Sequence, residues 1–123
     1  MAKSNKRLVI EQPGIPPVKQ PGPNEGKKNK DRKVRLQQKA LNITRETQWP
    51  VEYYTKNIKM SITYYRGVAK LDSANIIGGI ADSLQGPCYH NDKQLVEIHY
   101  SEQKKSRKKY KRDRYEVALE AII

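Results

Sequence analysis

Residues 58–100 read IKMSITYYRGVAKLDSANIIGGIADSLQGPCYHNDKQLVEIHY, and the parsing of this run decides the fold. Ile58, Met60, Ile62 and Tyr64 alternate with Lys59, Ser61, Thr63 and Tyr65, the period-two pattern of a strand with one buried face. Asp72 or Ser73 then offers an N-cap, and Ile76 or Ile77, Ile80, Ala81 and Leu84 follow at helical spacing. Gly86 and Pro87 end that helix. Gln94 to Tyr100 alternates again and is predicted to bury Val96, Ile98 and Tyr100. The run is strand, helix, strand.

The flanks extend this unit. Upstream, Arg7 to Glu11 reads as a short strand closed by Gln12, Pro13 and Gly14. A Pro/Gly-rich, basic loop is predicted at about 12–32, because proline lacks an amide proton and glycine loses the most entropy on ordering. Lys33 to about Gln48 contains neither residue. Leu36, Ala40, Ile43 and Thr47 recur there at helical spacing, with Val34 and Leu41 beside them, and Pro50 stops the helix. Downstream, Tyr115 to Ile123 alternates, with Tyr115, Val117, Leu119 and Ala121 on one face. The basic segment at about 103–114 is predicted to be the hairpin loop between the last two strands. The order is β-α-β-α-β-β. It implies an α+β fold: one domain over residues 1–123, a small mixed sheet carrying two helices on one face.

Charge bounds the partners. The chain of 123 residues holds 25 Lys and Arg against 13 Asp and Glu, a net charge of +12, with mean hydropathy −0.94. Residues 1–50 carry net +8, residues 51–100 carry zero, and residues 101–123 carry +4. Eight cations lie between Lys104 and Arg114. Two basic arms around a neutral middle suit a polyanion surface better than a merely solvated exterior. The candidate phosphate contacts are Lys27, Lys28, Lys30 and Arg32 in the first arm. In the second they are Lys104, Lys105, Arg107, Lys108, Lys109, Lys111, Arg112 and Arg114. The basic stretches lack an apolar face, which disfavours an anionic membrane surface. Nothing is apolar for long enough to span a bilayer, and Leu8 to Ile10 is too short for a signal-peptide core. The lone Cys88 cannot form an internal disulfide, as suits a reducing cytoplasm.

The neutral middle holds its acids at the ends of elements. Asp72 falls where strand gives way to helix, and Asp92 falls in the turn ahead of the next strand. Converging at one edge of the sheet, two carboxylates would bind a hard divalent cation through oxygen. Such a cation polarises a phosphodiester and generates a nucleophile from water. The plainer alternative is an N-cap at Asp72 and an ordinary turn residue at Asp92.

Three segments, Asp72-Ser73-Ala74-Asn75, Asp82-Ser83-Leu84-Gln85-Gly86 and Tyr89-His90-Asn91-Asp92-Lys93-Gln94, together resemble the RusA-type Holliday-junction resolvases. That family carries Asp-x-Asp-Asn leading into a helix, a lysine three residues after the asparagine, Asp-Ala-Leu at the helix end, and Asp-Asp-x-Gln before a strand. The resemblance covers nearly the whole chain. It implies a bacterial or phage-encoded, nucleoid-associated, homodimeric endonuclease. Such an enzyme uses Mg²⁺, with Mn²⁺ as a substitute, to nick four-way DNA junctions in recombination and repair. It assigns Asp72 and Asp92 as catalytic metal carboxylates, with Asn75, Asp82 and Asn91 in support. Dimer symmetry matches the two-fold symmetry of a junction cut on two opposed strands.

The sequence departs from the pattern at Ala74 (for aspartate), Gly78 (for the helix lysine) and Asn91 (for the first paired aspartate). Two adjacent glycines weaken a helix by roughly 1 kcal/mol each, and they also permit close approach of another element. Two other readings therefore stand beside the nuclease: a branched-DNA binder that does not cut, and a basic RNA-binding protein. Most of the eight tyrosines are expected in the core, with Tyr110 in the basic loop the candidate for base stacking. His90 could shuttle a proton but reads more simply as a solvent-facing turn residue, and Cys88 reads as structural.

Overall fold

The computed structural model describes residues 6–67, 69–104 and 112–123, with Lys104 described by its backbone alone. The elements follow the order β1 (Arg7–Pro13), α1 (Gly26–Glu46), β2 (Asn57–Arg66), α2 (Ser73–Leu84), β3 (Leu95–Lys104) and β4 (Arg114–Ile122). Short 3-10 turns at Val51–Thr55 and Asp92–Gln94 precede β2 and β3. The four strands form one mixed sheet in the order β1-β4-β2-β3. β2 pairs parallel with β3, whereas β4 pairs antiparallel with both β1 and β2. This is the predicted α+β fold.

Alternation places the core. Ile58, Met60, Ile62 and Tyr64 of β2 and Tyr115, Val117, Leu119 and Ala121 of β4 are all buried, as their period-two spacing requires. Leu8 and Ile10 extend that face across β1. Leu36 and Ala40 of α1 and Ile76, Ile80 and Leu84 of α2 pack onto it. Pro13 is tolerated in β1 because that strand lies at the edge of the sheet.

Three expectations need correction. The connection from β3 to β4 is not a hairpin, because β2 lies between the two strands. A connection of this length is free to cross the end of a neighbouring strand, whereas hairpin loops run to about 2–5 residues. Second, Val96 and Ile98 are 54% and 40% exposed. Ile98 pairs with buried Met60 and so shares its face, but β3 is the sheet edge, where Leu95 and Tyr100 are only partly buried against the core, and Val96 falls at a register shift in the pairing.

Third, α1 begins at Gly26 and not near Lys33, so Lys27, Lys28, Lys30 and Arg32 are helical and the loop covers only residues 14–25. Glu25 stands at the N-cap but makes no capping hydrogen bond, and the first turn itself carries no acid, so local signals for the extra turns are few. Buried Asn29 holds them instead. Its Oδ1 accepts the Val18 N–H at 2.8 Å, and its Nδ2 donates to the Val18 carbonyl at 2.7 Å.

Tyr53, Tyr64, Tyr89 and Tyr115 are buried, in line with the core reading of the tyrosines. Tyr110 lies outside the described residues.

Candidate active site

α2 is the rod on which the candidate site is built. Asp72 is its N-cap residue, extended at φ −76° and ψ 133°, and its side chain makes no capping hydrogen bond. Asp72 is exposed at a cleft of about 590 Å³ that is also lined by Glu25, Lys28 and Arg32 of the α1 end and by Lys70 and Asn75. An anion entering there meets cations and the N-terminal turns of α1, and a hard cation meets an uncommitted carboxylate.

Contacts distant in sequence fix the approach to Asp72. The Arg66 guanidinium donates to the carbonyls of Ala69 at 2.6 Å and Leu71 at 2.8 Å, and it pairs with Glu102 of β3. That carboxylate, the largest influence on the arginine, raises its already high pKa. Asp113, just before β4, accepts the Gly67 N–H at 2.9 Å and the Tyr64 hydroxyl proton. Burial, reinforced by Asp113, pushes the Tyr64 hydroxyl well above its ordinary range. Neither Arg66 nor Asp113 was singled out for this role from the sequence. The signal available was a lone cation and a lone acid beside strand ends, which any surface offers.

Asn75 is a latch. Its Oδ1 accepts the Gln20 N–H and its Nδ2 donates to the Gln20 carbonyl, both at 2.8 Å. Its own carbonyl accepts the Lys19 N–H at 3.0 Å. With Asn29 holding Val18, two asparagine amides grip the Pro/Gly-rich loop between the helices.

Asp92 lies at the other end of the rod. Its backbone N–H donates to Oε1 of Gln85, the C-cap residue of α2, at 3.0 Å. Asn91 caps the 3-10 turn by accepting the Lys93 N–H at 2.9 Å. Gln94 Oε1 returns to accept the Asn91 N–H at 2.9 Å and the His90 N–H at 3.0 Å, while its Nδ-equivalent amide, Nε2, reaches the Lys56 carbonyl at 2.7 Å. Asp82, on the last turn of α2, stands 3.8 Å from Lys33 Nζ.

Asp72 and Asp92 therefore do not converge in one chain. Twelve helical residues separate their ends of α2, a span on the order of 18 Å at 1.5 Å per residue. The parallel crossover explains why. Asp72 follows the C-terminal end of β2, whereas Asp92 precedes β3, whose first residue pairs with Ile58 at the opposite end of β2. Among the described residues, no group of three or more His, Cys, Asp or Glu side chains could hold a metal ion.

The remaining candidates divide. Lys27, Lys28 and Lys30 are exposed on α1, Arg32 is half-buried, and Arg112 is exposed. Arg114 is engaged within the fold, its guanidinium 3.9 Å from the Tyr65 ring centroid and 3.9 Å from the Glu116 carboxylate. Lys105, Arg107, Lys108, Lys109 and Lys111 lie outside the described residues, as does the side chain of Lys104. His90 is exposed and tilts against the Tyr54 ring. Cys88 is buried, and burial pushes its thiol up to about 12, which suits a structural residue.

The profile of the endodeoxyribonuclease RusA family matches residues 15–120, from the latched loop through β4. The chain belongs to the RusA family. The family match places it among Holliday-junction-resolving endonucleases, which as a class depend on divalent metals and act on branched DNA. No curated protein matches this RusA-family chain. Among its described residues, no helix is long and apolar enough to cross a membrane.

Proposed function

We propose that this RusA-family chain nicks four-way DNA junctions as a Mg²⁺-dependent homodimer, each site combining Asp72 of one protomer with the partner's Asp92. The observation that carries this reading is the placement of the two carboxylates at opposite ends of α2. One chain does not provide the donor set for a metal, whereas two chains related by a two-fold axis supply it twice.

The sheet offers a way to close the site. β3 is an edge strand with an open ladder, and Val96 and Ile98 are exposed along it. If two β3 strands ran antiparallel side by side, the start of one would lie beside the end of the other. Lys104 at that end pairs with Arg66, from which the connection to Asp72 departs. Asp92 would thus approach the partner's Asp72.

When bound, the metal supplies Lewis-acid polarisation of the scissile phosphate and a nucleophile from water. The chain's own residues do the rest. Lys28 and Arg32 beside Asp72 attract the phosphate backbone, and exposed Lys27, Lys30 and Arg112 extend that attraction. The two carboxylates bind the metal, and the Asn75 latch and the Arg66 clamp keep the Asp72 end in place. Such an enzyme works on DNA in recombination and repair, in the cytoplasm of a bacterium or a phage-infected cell.

The test is complementation. Asp72→Asn and Asp92→Asn chains should each bind a labelled four-way junction and cut it about 10³-fold more slowly than wild type. Mixed and allowed to exchange subunits, they form dimers with one intact and one doubly altered site, which nick one strand. Sites built within single chains leave no intact site in the mixture, and silence there would exclude the shared site. Binding should weaken steeply with salt, at a log–log slope of roughly −5 if about six phosphates are neutralised. The departure at Ala74 favours a second reading, a junction binder that does not cut. It predicts tight binding and intact DNA in both Mg²⁺ and Mn²⁺.

A further inference from the structure

Gly78 and Gly79 leave α2 without side chains midway along its length, and the chain's own loop fills the space. A Cβ on Gly79 would fall 2.3 Å from the Pro17 carbonyl oxygen and 2.5 Å from Val18 Cα. The loop backbone therefore crosses α2 in direct contact. A Cβ on Gly78 would fall 3.1 Å from both Cβ and Cδ of Lys19 and 3.6 Å from its Cγ. The stem of Lys19 lies over the bare glycine.

This lysine is carried on a loop, yet its backbone is held as firmly as a helical one. Its N–H donates to the Asn75 carbonyl at 3.0 Å. Val18 before it and Gln20 after it are each gripped at both N–H and C=O by an asparagine amide. The side chain is exposed, and among the described residues its ammonium has no hydrogen bond or ion pair. Gly78 lies six residues along the helix from Asp72, on the order of 9 Å. A free cation on a held backbone, less than two helical turns along α2 from Asp72, is placed to meet a phosphate there.

We propose that Lys19 is the phosphate-contacting cation of the cleavage site, delivered onto α2 from the loop where the helix itself carries no side chain. The inference rests on the nuclease reading above. It assigns a shared purpose to three features: the glycine pair makes room, Asn75 and Asn29 set the register, and Lys19 supplies the charge. A lysine at position 78 would reach the same space from the helix, so the charge should be movable between the two positions.

The experiment compares the full-length wild type with Lys19→Ala, Lys19→Arg and the double variant Lys19→Ala/Gly78→Lys. A labelled four-way junction is cut in Mg²⁺ under single-turnover conditions, and junction binding is measured separately without metal. Lys19→Ala should slow cleavage about 10²-fold, as loss of one charge-stabilising donor does. Its junction Kd should move by less than about threefold, because many other phosphate contacts remain. Lys19→Arg should retain most of the rate, and the relocated lysine should recover at least about tenfold of the loss. Cleavage by Lys19→Ala at the wild-type rate would overturn the inference while leaving the nuclease reading intact. Parallel loss of binding and cleavage would also overturn it, by making Lys19 a general backbone contact. A wild-type chain that binds junctions but cuts none in Mg²⁺ or Mn²⁺ would overturn both. Unchanged melting temperature in Lys19→Ala and Lys19→Arg separates a lost charge from a lost fold.

Discussion

The two ends of α2 hold their aspartates by different balances of near and distant contacts. At the C-terminal end, the turn that carries Asp92 has its own capping box from Asn91 and Gln94, with Gln85 seven residues back, and the Gln94 amide and the His90 N–H then tie it to the carbonyls of Lys56 and Tyr54. At the N-terminal end, Asp72 is held by groups drawn from across the chain. Asn75 reaches 55 residues to Gln20, and Asp113 reaches 46 residues to Gly67. A turn with its own capping box keeps part of its hydrogen bonding through disturbances elsewhere, whereas an end assembled mainly from distant segments depends on the whole tertiary fold.

That contrast can be broken most forcefully at the glycine pair. Gly79→Ala puts a methyl group into the Pro17–Val18 backbone, and overpacking of about 1–3 kcal/mol outweighs the helix-propensity gain. We expect a net loss of about 1–2 kcal/mol in denaturant unfolding, with the loop freed from α2. Gly78→Ala meets only the flexible Lys19 stem and should instead stabilise by up to about 1 kcal/mol. Equal effects at the two positions would show that the loop does not lie against α2 as described.

A finer comparison uses one polar side chain from each end. Asn75→Ala loses two hydrogen bonds to the Gln20 backbone and should cost about 1–2 kcal/mol, with faster amide exchange in the loop at residues 14–25. Gln94→Ala should cost about 0.5–1 kcal/mol, with exchange rising around residues 90–95 and beside Lys56, whose carbonyl the Gln94 amide reaches. Hydrogen-exchange mass spectrometry separates the two patterns, and spreading of the Gln94 effect to the loop at residues 14–25 would contradict the separate wiring of the two ends.

The smallest effect is one of pH, and it belongs to the Asp92 end. Cys88 and Tyr89 are buried there. Burial raises the thiol from 9.0 to about 12 and pushes the Tyr89 hydroxyl, which donates to the Ala81 carbonyl at 2.6 Å, higher still. A raised folded-state pKa contributes stability that is complete below the unfolded value and is lost as pH rises through the folded one. The melting temperature should therefore stay level to about pH 9 and fall above it. Trp49, whose indole N–H donates to the Cys88 carbonyl at 2.9 Å, reports the loosening by fluorescence. Rapid reaction of the folded thiol with Ellman's reagent at pH 8 would contradict its burial.

Much of this was legible in residues 58–100. Alternation marked β2, and the Asp72 cap with its apolar spacing marked α2. These features depend on neighbours in sequence, and side-chain period and cap chemistry act over a few residues. The first turns of α1 were not legible, because Lys27, Lys28 and Lys30 at a helix start read as loop until Asn29 finds Val18. Nor was the exposure of Val96 and Ile98, since alternation shows that a strand has two faces and not whether anything covers one of them.

The sequence by itself determined the element order, the buried faces of β2 and β4, the excess of positive charge and the motif that names the family. Only the tertiary structure decided that β2 separates β3 from β4, that the glycine pair receives the Lys19 loop, and that Asp72 and Asp92 stand at opposite ends of α2. The physical reason is range: local patterns are set by residues within a turn or two. The distance between two carboxylates is set instead by a crossover whose path depends on every strand it passes.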